Sequence, residues 1–185
     1  MAGDRGSQHL DEEELGRATQ LAYEAFSVLE GMGASLSPYV PTQEEVMEPI
    51  LALVQASANR RGSQCPPVYY EPGCGAGRVA SRAAESGLYV LCLELDEELA
   101  AKAADKARRS PLMDTVVGDL TVFRPRRVDA AYLYLLPVAV ARVLEVLRGL
   151  HAPVYSLDYP ALGDHGALRA ARLIIGGRSL YVYES

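Results

Sequence analysis

The chain has no tryptophan, two phenylalanines and two lysines, so eleven tyrosines carry nearly all its aromatic surface and sixteen arginines nearly all its positive charge. No apolar run approaches the roughly 20 residues needed to cross a bilayer. The first eight residues are polar and lack the apolar centre of a secretory signal. A soluble, cytoplasmic protein with no membrane partner is the expectation. Cysteine is scarce: Cys65, Cys74 and Cys92 are an odd number with no CxxC pair, which gives neither a zinc motif nor a disulfide framework. His9, His151 and His165 are scattered and form no ligand pair at helical spacing, so no protein-bound metal is expected. Net positive charge is also lacking, the formal balance being −6. A protein that grips nucleic acid through phosphates shows a basic face or tail. The best clusters here are Arg108/Arg109 and Arg124/Arg126/Arg127, and the charge weighs against a nucleic-acid partner.

What is present is an ordinary globular composition, 49% hydrophobic and 23% charged over 185 residues. That length gives one domain with a sizeable core and a short extension, with a monomer as the default. Residues 1–35 read as an N-terminal helical extension. In it Leu15, Ala18, Leu21/Ala22, Ala25/Phe26 and Leu29 recur at helical spacing, the acidic run Asp11–Glu14 lies at the helix start, and Gly31 and Gly33 stop it. Residues 36–185 read as an α/β domain. It opens with Pro38-Tyr39-Val40-Pro41-Thr42, and Thr42 with Glu45 forms a capping box for a helix reaching about Asn59, with Pro49 inside it.

Strands and helices then alternate. Val68–Glu71, Leu88–Leu95, Asp114–Gly118, Val128–Leu136 and Pro153–Leu157 read as strands, and the intervening helices carry apolar faces such as Val140, Val143/Leu144 and Leu147. Such alternation specifies a doubly wound, mostly parallel sheet covered by helices. Two further strands, Leu173–Ile175 and Leu180–Tyr183, joined through Gly176-Gly177, predict an antiparallel C-terminal hairpin and a seven-stranded sheet.

The sharpest local feature is Glu71-Pro72-Gly73-Cys74-Gly75-Ala76-Gly77-Arg78, a strand that ends in a carboxylate, turns through alternating glycines and opens a helix. Glycines let a ligand lie against the backbone, and the helix start offers unpaired N–H groups. The dinucleotide fingerprint read from Gly73 needs glycine where Arg78 stands, and the register Gly75-x-Gly77-x-x-Ala80 meets only its looser form. The P-loop fails because no Gly-Lys-Ser/Thr follows. Glu71 would repel a pyrophosphate but suits the cationic amino-acid end of S-adenosylmethionine. Glu94 closes the next strand, 21 residues past Gly73, where a carboxylate can accept both ribose hydroxyls. Asp119, with Leu120 after it, closes the following strand and is placed to bond the adenine amino group. Three acidic strand ends on one carboxyl edge make S-adenosylmethionine the expected cofactor.

These residues resemble class I S-adenosylmethionine-dependent methyltransferases. More narrowly the chain resembles the small archaeal protein-lysine methyltransferases related to the mitochondrial enzymes that methylate a lysine of the ATP synthase c-subunit. The matching segments are Pro38–Thr42, Glu71–Arg78, Leu93-Glu94-Leu95-Asp96, Gly118-Asp119, Tyr134-Leu135-Leu136-Pro137 and Ser156-Leu157-Asp158-Tyr159. The resemblance implies that Tyr39 and Thr42 lie near the cofactor and that Tyr134 and Asp158 face the methyl group, binding and orienting the amine. It also implies protein substrates with exposed lysines as partners. Glu71 stands where the family usually has aspartate, and Leu157 where it often has histidine. Methyltransferases of exocyclic base amines or glutamine amides carry Asn/Asp-Pro-Pro-aromatic after the fourth strand; this chain has Tyr-Leu-Leu-Pro. The alternatives are an enzyme acting on a small molecule or RNA, and a non-catalytic module that binds the cofactor.

Overall fold

The computed structural model describes residues 39–61, 66–163 and 168–184. The helix expected within residues 1–35 lies outside them, as do Cys65, His9 and His165. Eleven elements follow in chain order: α1 (Glu44–Arg61), β1 (Val68–Pro72), α2 (Arg78–Glu85), β2 (Tyr89–Glu94), α3 (Glu97–Ala107), β3 (Met113–Val117), β4 (Ala130–Leu133), α4 (Pro137–Leu147), β5 (Val154–Leu157), β6 (Arg169–Ile175) and β7 (Arg178–Glu184).

The strands form one seven-stranded sheet in the order β3-β2-β1-β4-β5-β7-β6. β1 to β5 run parallel, while β7 pairs antiparallel with both β5 and β6. The expected doubly wound sheet with its antiparallel C-terminal hairpin is therefore present. From β1 the chain builds outward through β2 and β3, then returns to the other side of β1 to lay down β4 and β5. The point where the order reverses lies between β1 and β4, and ligands of open α/β sheets bind beyond the carboxyl ends of the strands at such a point.

Local chemistry explains the boundaries. α3 is capped by Asp96, whose side chain accepts from the Leu99 amide at 2.9 Å, with Glu97 and Glu98 in its first turn. Pro137 is the first residue of α4, where a missing N–H removes nothing. The expected fourth strand, Val128–Leu136, shortens to Ala130–Leu133 because both flanks have other partners. Asp129 Oδ2 accepts from the Val68 amide at 2.8 Å on one side, and Tyr134–Leu136 leave the sheet to enter α4 on the other. Gly176 and Gly177 both have positive φ (57° and 77°), as a two-residue hairpin turn of the I′ kind requires. This tight turn lets β6 and β7 pair over their full length, longer than the sequence spans suggest.

The helix after Pro41 does not use the expected capping box. α1 begins at Glu44, so Thr42 lies one residue outside the capping position, and its hydroxyl pairs with the buried Tyr132 Oη at 2.9 Å. α1 continues through Pro49, which is exposed, and buries Val46, Met47, Ile50 and Val54 in the main core. There they meet Val79, Ala80 and Ala83 of α2 and Tyr132, Tyr155, Leu157 and Leu180 of the sheet. Each buried Val, Leu, Ile or Met among them contributes about 1.5–3 kcal/mol by leaving water. No helix among the described residues is long and apolar enough to cross a membrane.

Candidate functional site

Glu71 and Pro72 end β1, and the chain then turns through Gly73, Gly75 and Gly77, all with φ between +55° and +72°. Side-chain-bearing residues adopt that region only with strain. The loop is docked on the neighbouring strand: the amides of Gly73 and Cys74 both donate to the Leu93 carbonyl, at 2.7 and 3.2 Å. Lys106 Nζ donates to the Ala76 carbonyl at 2.5 Å, tying α3 to the loop's far side. Gly77 opens α2 with no side-chain cap, which leaves the first amides of that helix without one.

Space explains the glycines as well as φ does. A Cβ on Gly75 would lie 2.2 Å from the ring of Tyr39, and one on Gly73 would lie 2.6 Å from a Leu135 methyl. The structure thus brings Tyr39, the glycine loop and the Tyr134–Pro137 segment together, three motifs separated by up to 96 residues in the chain (135 − 39).

Two carboxylates face this loop, and their surroundings differ. Glu94 is 9% exposed and fully engaged by backbone. Its Oε2 accepts from the Gly75 amide at 2.7 Å, and its Oε1 from the amides of Leu95 and Asp96 at 2.8 and 3.0 Å. Glu71 is 5% exposed, and its Oε2 accepts from the hydroxyl of Tyr69 at 2.9 Å. Burial pushes its carboxyl up to about 8, the hydrogen bond from Tyr69 opposes the rise, and the charge of Glu94 adds to it. A buried carboxylate whose hydrogen-bonding partner is a neutral hydroxyl, beside a glycine-lined turn, fits a ligand that brings an ammonium group. A pyrophosphate in its place would add negative charge beside two acidic side chains and hold Glu71 in its protonated form.

On the adjoining strand end the Gly118 amide donates to the Glu94 carbonyl at 2.9 Å, so β3 delivers Asp119 to the same edge. Asp119 Oδ1 accepts from the Thr121 amide at 2.7 Å, which fixes the turn, and Asp119 and Leu120 are half-buried. Of the residues expected at a cofactor, Tyr39 packs against Gly75, and Glu94 accepts from the amide of that glycine. Glu71 precedes the turn of Gly73, Gly75 and Gly77, and Asp119 and Leu120 follow β3 at the same sheet edge, whereas the Thr42 hydroxyl is turned to the buried Tyr132.

The expected acceptor residues form a second cluster, beyond β4 and β5. Tyr134 and Asp158 are brought together, and both meet Arg178, a residue the sequence reading missed. Arg178 Nε donates to Asp158 Oδ1 at 3.1 Å, and its Nη2 donates to Asp158 Oδ2 and, at 2.5 Å, to Tyr134 Oη. Its guanidinium carbon lies 5.1 Å from the Tyr134 ring centroid, and the Tyr159 ring stacks on Tyr134 with centroids 6.3 Å apart. Burial raises the Tyr134 phenol, which Arg178 partly offsets, so it stays protonated near neutral pH. Asp158 has φ of +62° and its amide donates to the Ser179 carbonyl at 2.7 Å, which turns its side chain toward β7. Arg178 comes to the site through the β5–β7 register, in which pairing Leu157 with Leu180 places the start of β7 beside the end of β5.

The second omission is covalent. Cys74 of the glycine loop and Cys92 of β2 are joined by a disulfide, a pairing the cysteine spacing did not suggest. Spacing carried no hint because the pairing follows from the sheet: Glu71 is level with Cys92, and the loop folds back along β2. Among the described residues no group of three or more His, Cys, Asp and Glu side chains is arranged to hold a metal ion.

Comparison with known proteins points the same way. Residues 70–153 match the family described as a methyltransferase domain. No curated protein matches the chain in sequence. Among solved structures, an RNA methyltransferase from Salinibacter ruber in complex with S-adenosyl-L-homocysteine is similar at 26% identity, covering 78% of this chain and 93% of that one, with a TM-score of 0.64. An S-adenosylmethionine-dependent methyltransferase from Aquifex aeolicus is 15% identical over 90% of this chain and 97% of its own, with a TM-score of 0.58. A methyltransferase from Geobacter sulfurreducens is 13% identical over 97% and 99%, also at 0.58. The last two likenesses are of fold.

Proposed function

We propose that this class I S-adenosylmethionine-dependent methyltransferase transfers methyl groups to the side-chain amines of protein lysines. The fold, the matched domain and the rim of Glu71, the glycine loop and Glu94 support the coarser activity. One observation carries the finer one: Asp158 and Tyr134 converge with Tyr159 into an anionic, aromatic set that already holds a side-chain cation. A carboxylate, a phenol oxygen and ring faces are what an ammonium-bearing acceptor needs.

Bound S-adenosylmethionine supplies an electrophilic sulfonium methyl. The chain's own residues bind and orient. Glu71 would hold the α-ammonium of the cofactor, Glu94 and Asp119 its ribose and adenine, and Tyr39 would cover it across Gly75. Glu94 now serves three backbone amides, so contact with ribose hydroxyls requires its carboxylate to share or exchange them. On the acceptor side a lysine, with an ordinary pKa of about 10.4, must arrive neutral at the methyl. It enters as the ammonium that Asp158 and Tyr134 receive and orient, and gives up one proton to water at the partly open mouth before its nitrogen lines up with the methyl. In-line displacement then needs orientation and exclusion of water and forms no covalent bond to the protein.

The experiment is incubation with radiolabelled S-adenosylmethionine and a mixed protein extract beside an Asp158→Ala control, followed by amino-acid analysis. Label recovered as methyl-lysine and lost in the control supports the reading; label confined to RNA or metabolites contradicts it. RNA is the second reading, favoured by the likeness to the Salinibacter ruber RNA methyltransferase and opposed by the net charge of −6.

A further inference from the structure

Arg178 is the first residue of β7, directly after the Gly176-Gly177 turn, and its side chain reaches across to the ends of β4 and β5. It satisfies both oxygens of Asp158 and the hydroxyl of Tyr134 together. The pair is not sealed: the Arg178 and Asp158 side chains keep 18% and 26% of their surface in water. A half-open ion pair contributes little net stability, because its charges are screened and both partners can be rehydrated. With Arg178 in place, the acceptor mouth carries no net charge.

We propose that Arg178 is a specificity-determining counter-ion: its guanidinium occupies the oxygens that receive the acceptor's ammonium, and a cationic acceptor enters by displacing it. The exchange conserves charge. One cation leaves for water on a side chain anchored at a hairpin turn, another takes its two oxygen partners, and Asp158 is never left unpaired. A neutral acceptor that pushed Arg178 aside would strand the carboxylate, and an anionic one would add repulsion. The mouth therefore admits lysine and excludes uncharged or acidic side chains. This inference rests on the lysine reading above.

The test is steady-state kinetics on a single-lysine peptide with the wild-type protein and Arg178→Gln. Removing the internal competitor should lower KM for the peptide roughly three- to tenfold and leave kcat within about twofold. A raised KM, or a kcat loss of about tenfold or more at unchanged melting temperature, overturns the proposal and makes Arg178 a brace for the site. Should Arg178→Gln not fold, Arg178→Lys keeps the charge and decides the question. Incubated with S-adenosylmethionine alone and analysed by peptide mass spectrometry, it should become methylated at position 178, at a rate independent of protein concentration. Absence of methyl there, with trans activity intact, overturns the proposal. A wild-type protein that binds the cofactor yet methylates no lysine peptide brings down the lysine reading itself, and this inference with it.

Discussion

The Gly75 amide donates to Glu94 Oε2 at 2.7 Å, so the middle glycine of the loop and the acidic end of β2 are held by one hydrogen bond. The other oxygen of the same carboxylate accepts from Leu95 and Asp96. Glu94 is therefore a structural acceptor for the loop as well as a ligand candidate, and the two roles share one group.

Glu94→Ala strips three backbone amides of their acceptor, that of Gly75 buried and those of Leu95 and Asp96 at the surface. The expected loss is about 2 kcal/mol or more of stability together with at least roughly tenfold in cofactor affinity. Glu94→Gln keeps one oxygen acceptor and should lose less of both. Thermal melts and calorimetric titration with S-adenosylmethionine measure the two effects; unchanged affinity in the alanine variant would remove Glu94 from the cofactor site.

The Cys74–Cys92 bond closes a sequence separation of 18 residues and joins the loop to β2. A loop of that size stabilises by about 3 kcal/mol in the chain-entropy account. Reductant, or the Cys74→Ala/Cys92→Ala pair of changes, should lower the melting temperature and weaken cofactor binding, because the loop then docks through the Leu93 carbonyl, Glu94 and Lys106 alone. Thiol titration of the unfolded, unreduced protein checks the premise, and free thiols at both positions would contradict it.

Glu71 gives a pH signature. Its carboxyl is raised from 4.5 to about 8 by burial, so the folded chain holds a proton that the unfolded chain releases. The stability from this group is complete below 4.5 and lost as pH rises through about 8. An ammonium placed beside it favours the carboxylate, so cofactor binding near neutral pH should release close to one proton. Calorimetry in buffers of different ionisation enthalpy reads this directly, and Glu71→Gln should abolish it. Binding without proton release in the wild type would separate Glu71 from the ammonium.

Gly75→Ala combines a left-handed φ of +55° with a Cβ 2.2 Å from the Tyr39 ring. The strain is of order 1–3 kcal/mol and Tyr39 must move. The variant should lose cofactor affinity more than Tyr39→Ala does, since it alters the loop itself. Equal losses would mean that the ring, not the backbone path, carries the contact.

The strand-helix order was legible because a parallel sheet buried on both faces writes its strands as apolar runs, as in Tyr89–Glu94 and Val154–Leu157. That Glu71, the glycine turn, Glu94 and Asp119 share one sheet edge was legible because parallel strands bring their carboxyl ends together. What escaped is tertiary. Arg178 reaches Asp158 only because β7 pairs with β5 in the register that sets Leu180 beside Leu157, and Cys74 meets Cys92 only because the loop folds back on its neighbour. Thr42 reads as a cap from local spacing, yet its partner, Tyr132, is 90 residues away. Periodicity reports which face is buried, and it carries no information on which distant side chains meet.

The most direct test of the central claim is methyl transfer to a peptide with a single lysine, run beside the same peptide with arginine in its place and beside unmodified transfer RNA. Mass spectrometry should find methyl groups on the lysine peptide alone, and none when Asp158→Ala replaces the wild-type protein. Methyl transfer to the RNA, with the lysine peptide unchanged, would contradict the account and assign the Asp158–Tyr134 cluster to a different acceptor.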